Sequence, residues 1–149
     1  MRIAVASDHA GFAHKRAILA HLAGEGRQAL DLGTDSERSC DYPDFAAAAG
    51  RAVLSGTAAA AVLVCGTGIG ISIAANKVAG LRCALVHNLD TARLAREHND
   101  AQAIALGARV VDIPTALALV DCWLAARFAP RHQGRLDKIA ALEAGSASC

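Results

Sequence analysis

The sequence predicts an α/β protein, a three-layer α/β/α sandwich with helices on both faces of a parallel sheet. Three observations point there. Five short apolar runs alternate with longer segments of helical character, and that alternation produces parallel β-α units with right-handed crossovers. The central run, Val62-Leu63-Val64, is apolar and largely β-branched, as a strand buried on both faces must be. The chain has 149 residues with neither repeat nor linker, so residues 1–149 read as one domain, long enough to bury a sizeable core.

In order, Ile3-Ala4-Val5-Ala6 is the first strand, ending at Ser7-Asp8-His9. Gly11 opens a helix over 12–22, closed by Gly24 and Gly26. Ala29 to Leu32 is a weaker second strand, and Gly33 to Asp41 a polar loop leading to Tyr42-Pro43. Asp44 to Ser55 is an Ala-rich helix stopped by Gly56. The central strand and a glycine turn follow, then a weakly charged helix over 71–76. Arg82 to Val86 is the fourth strand, and Leu89 to His98 a helix capped by Asn88 or Asp90. Ala103 to Leu106, or through Val111, is the fifth strand and contains Gly107. Pro114 to Phe128 is a long helix that Pro130 breaks, Arg131 to Glu143 is the last, and Gly145 to Cys149 is a frayed tail.

The stretch with most chemical content runs from Ala61 to Lys77, with glycines at 66, 68 and 70. A buried strand, a glycine turn and a helix N-terminus in sequence make an anion pocket, because free backbone N–H groups and the helix dipole face the ligand. Cys65 ends the strand. A cysteine at the positive end of a helix is expected to be partly thiolate at neutral pH, which would set a nucleophile or proton-transfer base beside an oxyanion pocket. The alternative is an inert buried thiol. The spacing excludes a P-loop, which needs Gly-Lys-Ser/Thr after four intervening residues. It excludes the dinucleotide fingerprint, whose third glycine would fall at Ile71, and a C-x5-R phosphatase loop would need Arg at that same position.

Hydrophobic residues make up 54% of the chain and charged ones 19%. No apolar run approaches the roughly 20 residues of a membrane span, and the N-terminus meets Asp8 too early for a signal peptide. The expectation is a soluble, cytoplasmic protein whose surplus apolar surface goes into an oligomer interface. A net charge of +1 and 3% aromatics give no reason to expect nucleic acid or membrane as partners. The five cysteines, at 40, 65, 83, 122 and 149, form no C-x-x-C or zinc pattern, which fits reduced thiols and no metal site.

In parallel α/β sheets ligands sit beyond the carboxyl ends of strands, near a switch in strand order. That rule selects Asp8 and His9, Cys65 to Gly70, and His87 and Asn88. Asp8 either binds a ligand or caps the first helix. His98 ends the fourth helix, where it is either a capping residue or a functional one. Arg131 and Arg135, four apart on one helix, suit a phosphate grip or a solvated face. His14 and His21 read as surface or rim residues, and Tyr42 as a loop residue that packs or bonds a hydroxylated ligand.

Together S-D-H-A-G, D-Y-P, C-G-T-G-I-G-I-S-I-A-A-N-K, E-H-N-D, L-G-A-R-V and R-H-Q-G-R resemble the type B ribose-5-phosphate isomerase family, which has relatives acting on allose and galactose 6-phosphate. The resemblance spans nearly the whole chain in order and spacing. It implies a Rossmann-like five-stranded parallel sheet and aldose–ketose isomerisation of ribose 5-phosphate to ribulose 5-phosphate through an enediolate. It also implies no metal or organic cofactor, and a homodimer or dimer of dimers with the pocket at the subunit interface. The resemblance makes Cys65 the base moving a proton between C2 and C1. Another branch has a glutamate where this chain has Ile69, so the chain resembles the cysteine type. By the same resemblance His98 assists ring opening and Thr67 shuttles a proton between oxygens. The amides of Gly66, Gly68, Ile69 and Gly70 hold the enediolate. Asp8, Tyr42 and Asn99 contact sugar hydroxyls, His9, Arg131 and Arg135 grip the phosphate, and Arg109 lies near the site. The rival readings are a 6-phosphohexose isomerase and, from a different class, a non-catalytic nucleotide-binding module.

Overall fold

The computed structural model describes residues 2–145. The chain runs β1 (Arg2–Ser7), a 3₁₀ turn (His9–Gly11), α1 (Phe12–Gly24), β2 (Gln28–Asp31), α2 (Tyr42–Leu54), β3 (Ala60–Cys65) and α3 (Ile69–Ala75). It continues with β4 (Cys83–Leu85), α4 (Leu89–Asn99), β5 (Ala103–Gly107), α5 (Ile113–Ala125), a second 3₁₀ turn (Pro130–His132) and α6 (Gln133–Glu143). The five strands form one parallel sheet in the order β2-β1-β3-β5-β4. The chain leaves β1 toward β2 on one side and resumes with β3 on the other, so the strand-order switch lies between β1 and β3. Ser7 pairs there with Val64, one residue short of Asp8 and Cys65.

Successive strand residues point to opposite faces, and the two faces differ in size. Ile3, Val5, Val62, Val64, Ile104 and Leu106 pack against α1 and α5 through Ile18, Leu22, Leu119 and Trp123. The indole N–H of fully buried Trp123 donates to the Ala101 carbonyl at 3.3 Å, which satisfies its one polar atom. The opposite face is built on Ala4, Ala6, Ala61, Ala103 and Ala105, with Leu63 and Cys65, against Ala46 and Ala49 of α2 and Ile71 and Ala75 of α3. Its small side chains let α2 and α3 approach the sheet closely, and this brings Tyr42 over the glycine turn.

All expected strands and helices are present, with several boundaries moved. Tyr42 is the first residue of α2 rather than a loop residue, because Pro43 suits a first helical turn that needs no N–H donor. The fifth helix ends at Ala125, three residues before the expected Phe128. Ala126 turns extended, with ψ 154°, so that the Ala129 N–H reaches the Glu97 carbonyl at 2.8 Å. The expected helix from Arg131 is a 3₁₀ turn followed by α6, so Arg131 and Arg135 do not share one α-helical face. His14 is buried rather than at the surface, its Nε2 2.8 Å from the Val111 carbonyl oxygen. His21 is half-buried against Asp121. Lys15 is 2% exposed and pairs with Asp31, half of whose side chain is exposed, tying α1 to the end of β2. Of the expected frayed tail, Ser146 to Cys149 lies outside the described residues. Among the described residues no single helix is long and apolar enough to cross a membrane.

Candidate active site

At the carboxyl ends of β1 and β3 the chain makes two turns side by side. The Asp8 N–H donates to the Val64 carbonyl at 3.2 Å, and Asp8 Oδ1 accepts the amides of Ala10 and Gly11 at 3.0 and 3.1 Å. The capping role is therefore real, and it occupies one carboxylate oxygen of a residue only 6% exposed. His9 is half-buried, with the Cys40 N–H 3.2 Å from its Nδ1. When that bond forms, the neutral ring carries its proton on Nε2, available as a donor.

The second turn is Cys65 to Gly70. Gly68 is left-handed, with φ 79°, and its N–H lies 3.2 Å from Cys65 Sγ. A Cβ at Gly68 would meet the Gly107 amide nitrogen at 3.0 Å and a Leu85 methyl at 2.6 Å, so both the conformation and the space require glycine. The Ile69 N–H points at Thr67 Oγ1 at 3.3 Å. The Gly70 and Ile71 amides, in the first turn of α3, have no acceptor among the described residues. The Tyr42 ring covers Gly70 so closely that a Cβ there would lie 2.5 Å from Cζ and 2.7 Å from the phenol oxygen. The Arg109 guanidinium lies over Gly66, with a terminal nitrogen 3.1 Å from where a Cβ would be, and the Arg109 N–H donates to the Gly66 carbonyl at 2.9 Å. Cys65 itself is 4% exposed, facing the alanine-rich core, whereas Thr67 and Ile69 are exposed. Among the other thiols, burial pushes Cys83 up to about 12, which leaves it protonated and unreactive.

Asp8, His9, Tyr42, Gly66 to Gly70 and Arg109 therefore converge with Cys65. His98, Asn99, Arg131 and Arg135 do not. α4 runs antiparallel to the strands and delivers His98 and Asn99 to the amino ends of β4 and β5, where Arg82 Nε donates to the Asn99 carbonyl at 2.9 Å. The second 3₁₀ turn joins them there. The His98 and His132 rings lie 4.3 Å apart, and Arg135 reaches His132 Nδ1 at 3.3 Å. Strands of five and six residues separate the two clusters by about 15–20 Å at roughly 3.3 Å per residue. Arg109, Arg131 and Arg135 make no ion pair among the described residues.

Residues 3–139 match the family described as Ribose/Galactose Isomerase. The chain belongs to that family. It is 44% identical over 143 residues to the ribose-5-phosphate isomerase B of Escherichia coli (strain K12), covering 95% of this chain and 96% of the relative. Among solved structures, Clostridium thermocellum ribose-5-phosphate isomerase B superimposes with a TM-score of 0.96 at 47% identity, covering 99% of this chain and all of that one. The Mycoplasma genitalium enzyme, crystallised with bound ribulose-5-phosphate, gives 0.91 at 39% identity over 96% of each chain.

Within the ribose/galactose isomerase fold, the structure adds one residue that sequence reasoning left out of the site. His132 is buried, and its Nε2 has no hydrogen-bond partner among the described residues. Burial, then the nearby His98, Arg131 and Arg135 charges, hold its pKa below the ordinary imidazole value, so it stays neutral between two arginines and a second histidine. Its only sequence signal was its place inside R-H-Q-G-R. Beside the glycine turn, Ile69, Leu85 and Val110 are exposed around a recess of about 340 Å³ that His87 and Gly107 also line.

Proposed function

We propose that this chain interconverts ribose 5-phosphate and ribulose 5-phosphate, at a site assembled from two copies of itself. The observation that carries the reading is the Cys65 turn. The sulfur accepts the Gly68 amide hydrogen bond, and the Gly70 and Ile71 amides nearby have no acceptor among the described residues. In the open-chain aldose, the Cys65 thiolate takes the proton from C2. The C2–H electron pair becomes the C1=C2 bond, and the carbonyl pair moves onto O1. The resulting oxyanion lies against the unpaired amides of the turn, each such donor typically worth ~3 kcal/mol of barrier. Thr67 passes a proton from O2 to O1, and the thiol returns its proton to C1 as O2 becomes the carbonyl. The hydrogen and the electron pair both stay within the substrate, so no redox partner enters.

Asp8 and Tyr42 line the same end of the sheet and suit the sugar hydroxyls, with His9 and the Arg109 guanidinium beside them. Ring opening and the rest of the phosphate grip fall to His98, Asn99, Arg131 and Arg135, which in one chain lie a sheet's length away. A second copy supplies them. Supporting this, the exposed Ile69, Ile73, Leu85 and Val110 beside the turn form an apolar surface suited to another copy. The bound ribulose-5-phosphate in the Mycoplasma genitalium relative supports the choice of substrate.

The test is Cys65→Ala. Isomerisation of ribose 5-phosphate should fall by about 10²–10⁴-fold, the usual contribution of a positioned base, while sugar-phosphate binding survives. Retained turnover, together with no alkylation of Cys65 by iodoacetamide in the unmodified protein, would place the base elsewhere. The same assay with allose and galactose 6-phosphate decides between pentose and hexose.

A further inference from the structure

The segment carrying His98 and Asn99 ends in an unusual way. Asp100 is the only non-glycine residue with positive φ among the described residues, at φ 40° and ψ 46°. Left-handed backbone is unfavourable for a residue with a Cβ and persists where its surroundings hold it. Here two arginines do so. Arg82, just before β4, donates from Nε to the Asn99 carbonyl at 2.9 Å, and from one terminal nitrogen to the Asp100 carbonyl at 2.9 Å and to Oδ2 at 3.3 Å. Arg96 donates to Asp100 Oδ1 at 2.9 Å, with its guanidinium over the Trp123 ring at 5.0 Å. The last carbonyls of a helix have no intrahelical donors, and a planar guanidinium fork meets two of them in a fixed direction.

We propose that Arg82 is a positioning residue for isomerisation: by clamping the Asn99 and Asp100 carbonyls it fixes the final turn of α4, and so where His98 and Asn99 are presented to the substrate. Arg82 also fixes one end of the edge strand, since its N–H and carbonyl both bond the segment entering β5, at Gln102 and Ala103. The clamp thus refers the histidine to the sheet rather than to its own helix. The inference rests on the ring-opening role assigned above to His98.

The experiment compares Arg82→Gln, Arg82→Lys, His98→Asn and the Arg82→Gln/His98→Asn double variant. Each is assayed for kcat at saturating substrate, forward on ribose 5-phosphate, which is largely cyclic, and in reverse on ribulose 5-phosphate, whose esterified O5 cannot close a ring; kcat/KM must change equally in both directions, because their ratio is the fixed equilibrium constant. Misplacing a catalytic group by about 1 Å costs up to 10²-fold, so Arg82→Gln should slow the forward reaction about ten- to a hundredfold and the reverse far less. Arg82→Lys should recover only part of the loss. The double variant should be no slower than His98→Asn alone, because residues acting through one another are not additive. Equal losses in both directions, or effects that multiply in the double variant, overturn the proposal. If His98→Asn alone shows no preference between the directions, the ring-opening role fails, and Arg82 is judged on the coupling alone. Should Arg82→Gln not fold, Asp100→Gly keeps the left-handed backbone while removing both carboxylate contacts, and it should move the same ratio in the same direction by a smaller factor. An unchanged ratio there counts against the clamp.

Discussion

Mixing two variants, each impaired on ribose 5-phosphate, tests the two-chain site most directly. Cys65→Ala damages the glycine-turn half, and His98→Asn damages the half at the other end of the sheet. In a two-fold symmetric dimer each site takes the turn from one protomer and the histidine from its partner. A heterodimer of the two variants therefore holds one site with both lesions and one with neither. Random pairing at equal amounts makes half the dimers heterodimers, each with one intact site of two, so the mixture should regain about a quarter of the unmutated activity. The two proteins are coexpressed with different affinity tags, and the doubly tagged species is assayed for turnover of ribose 5-phosphate. That isolated species should show about half of the unmutated rate per dimer. No activity above the sum of the parent variants, in a species carrying both tags, would mean that each site is built within one chain. The separation of His98 from Cys65 would then rule out a shared catalytic role.

Three further outcomes follow from the packing and the charges. Asp31→Ala should destabilise the protein by about 3 kcal/mol in urea denaturation although half of that side chain is exposed, because it leaves the 2%-exposed Lys15 without its partner; a loss near that of an ordinary surface substitution would show that Lys15 finds water. Gly70→Ala should fold, since the clash is with the movable Tyr42 ring, but it should raise KM by displacing that ring; an unchanged KM would remove Tyr42 from the substrate's surroundings. Because burial and neighbouring cations hold the folded-state pKa of His132 below its ordinary value, the unfolded chain binds the proton more readily in the window below about pH 6.5. Stability should therefore fall as pH drops through that window, and thermal melts of His132→Asn should show a flatter dependence; identical profiles would refute the assignment.

The strands were legible because a parallel sheet buries both faces and leaves apolar runs such as Val62-Leu63-Val64. Helix ends were legible where a local signal sets them, as Asn88 does through its bond to the Thr91 amide. They were misread where a distant contact decides: α5 stops at Ala125 so that Ala129 can reach Glu97, and the 3₁₀ turn after Pro130 takes Arg131 off the face of Arg135. His14 looked like a rim residue because nothing nearby in the sequence announces the Val111 carbonyl, 97 residues away, that receives it.

The two halves of the site were unequal in the same way. Cys65 to Gly70 is contiguous, so strand, turn and helix can be read as one device with its chemistry attached. For His98 the β-α alternation already contains the answer. A helix between parallel strands returns the chain to their amino ends, and the rule that ligands gather beyond the carboxyl ends selects Asp8, Cys65 and Asn88 but passes over His98. Under the proposed ring-opening role, His98 stands at the opposite end of its own sheet from Cys65, and that role therefore requires a second sheet. Arg131 and Arg135, proposed for the phosphate grip, lie at that same end, beside His132. What the pattern of residues could not supply was the direction of that presentation, because Arg82 and Asp100, which set it, are 18 residues apart and meet only when β4 and β5 pair.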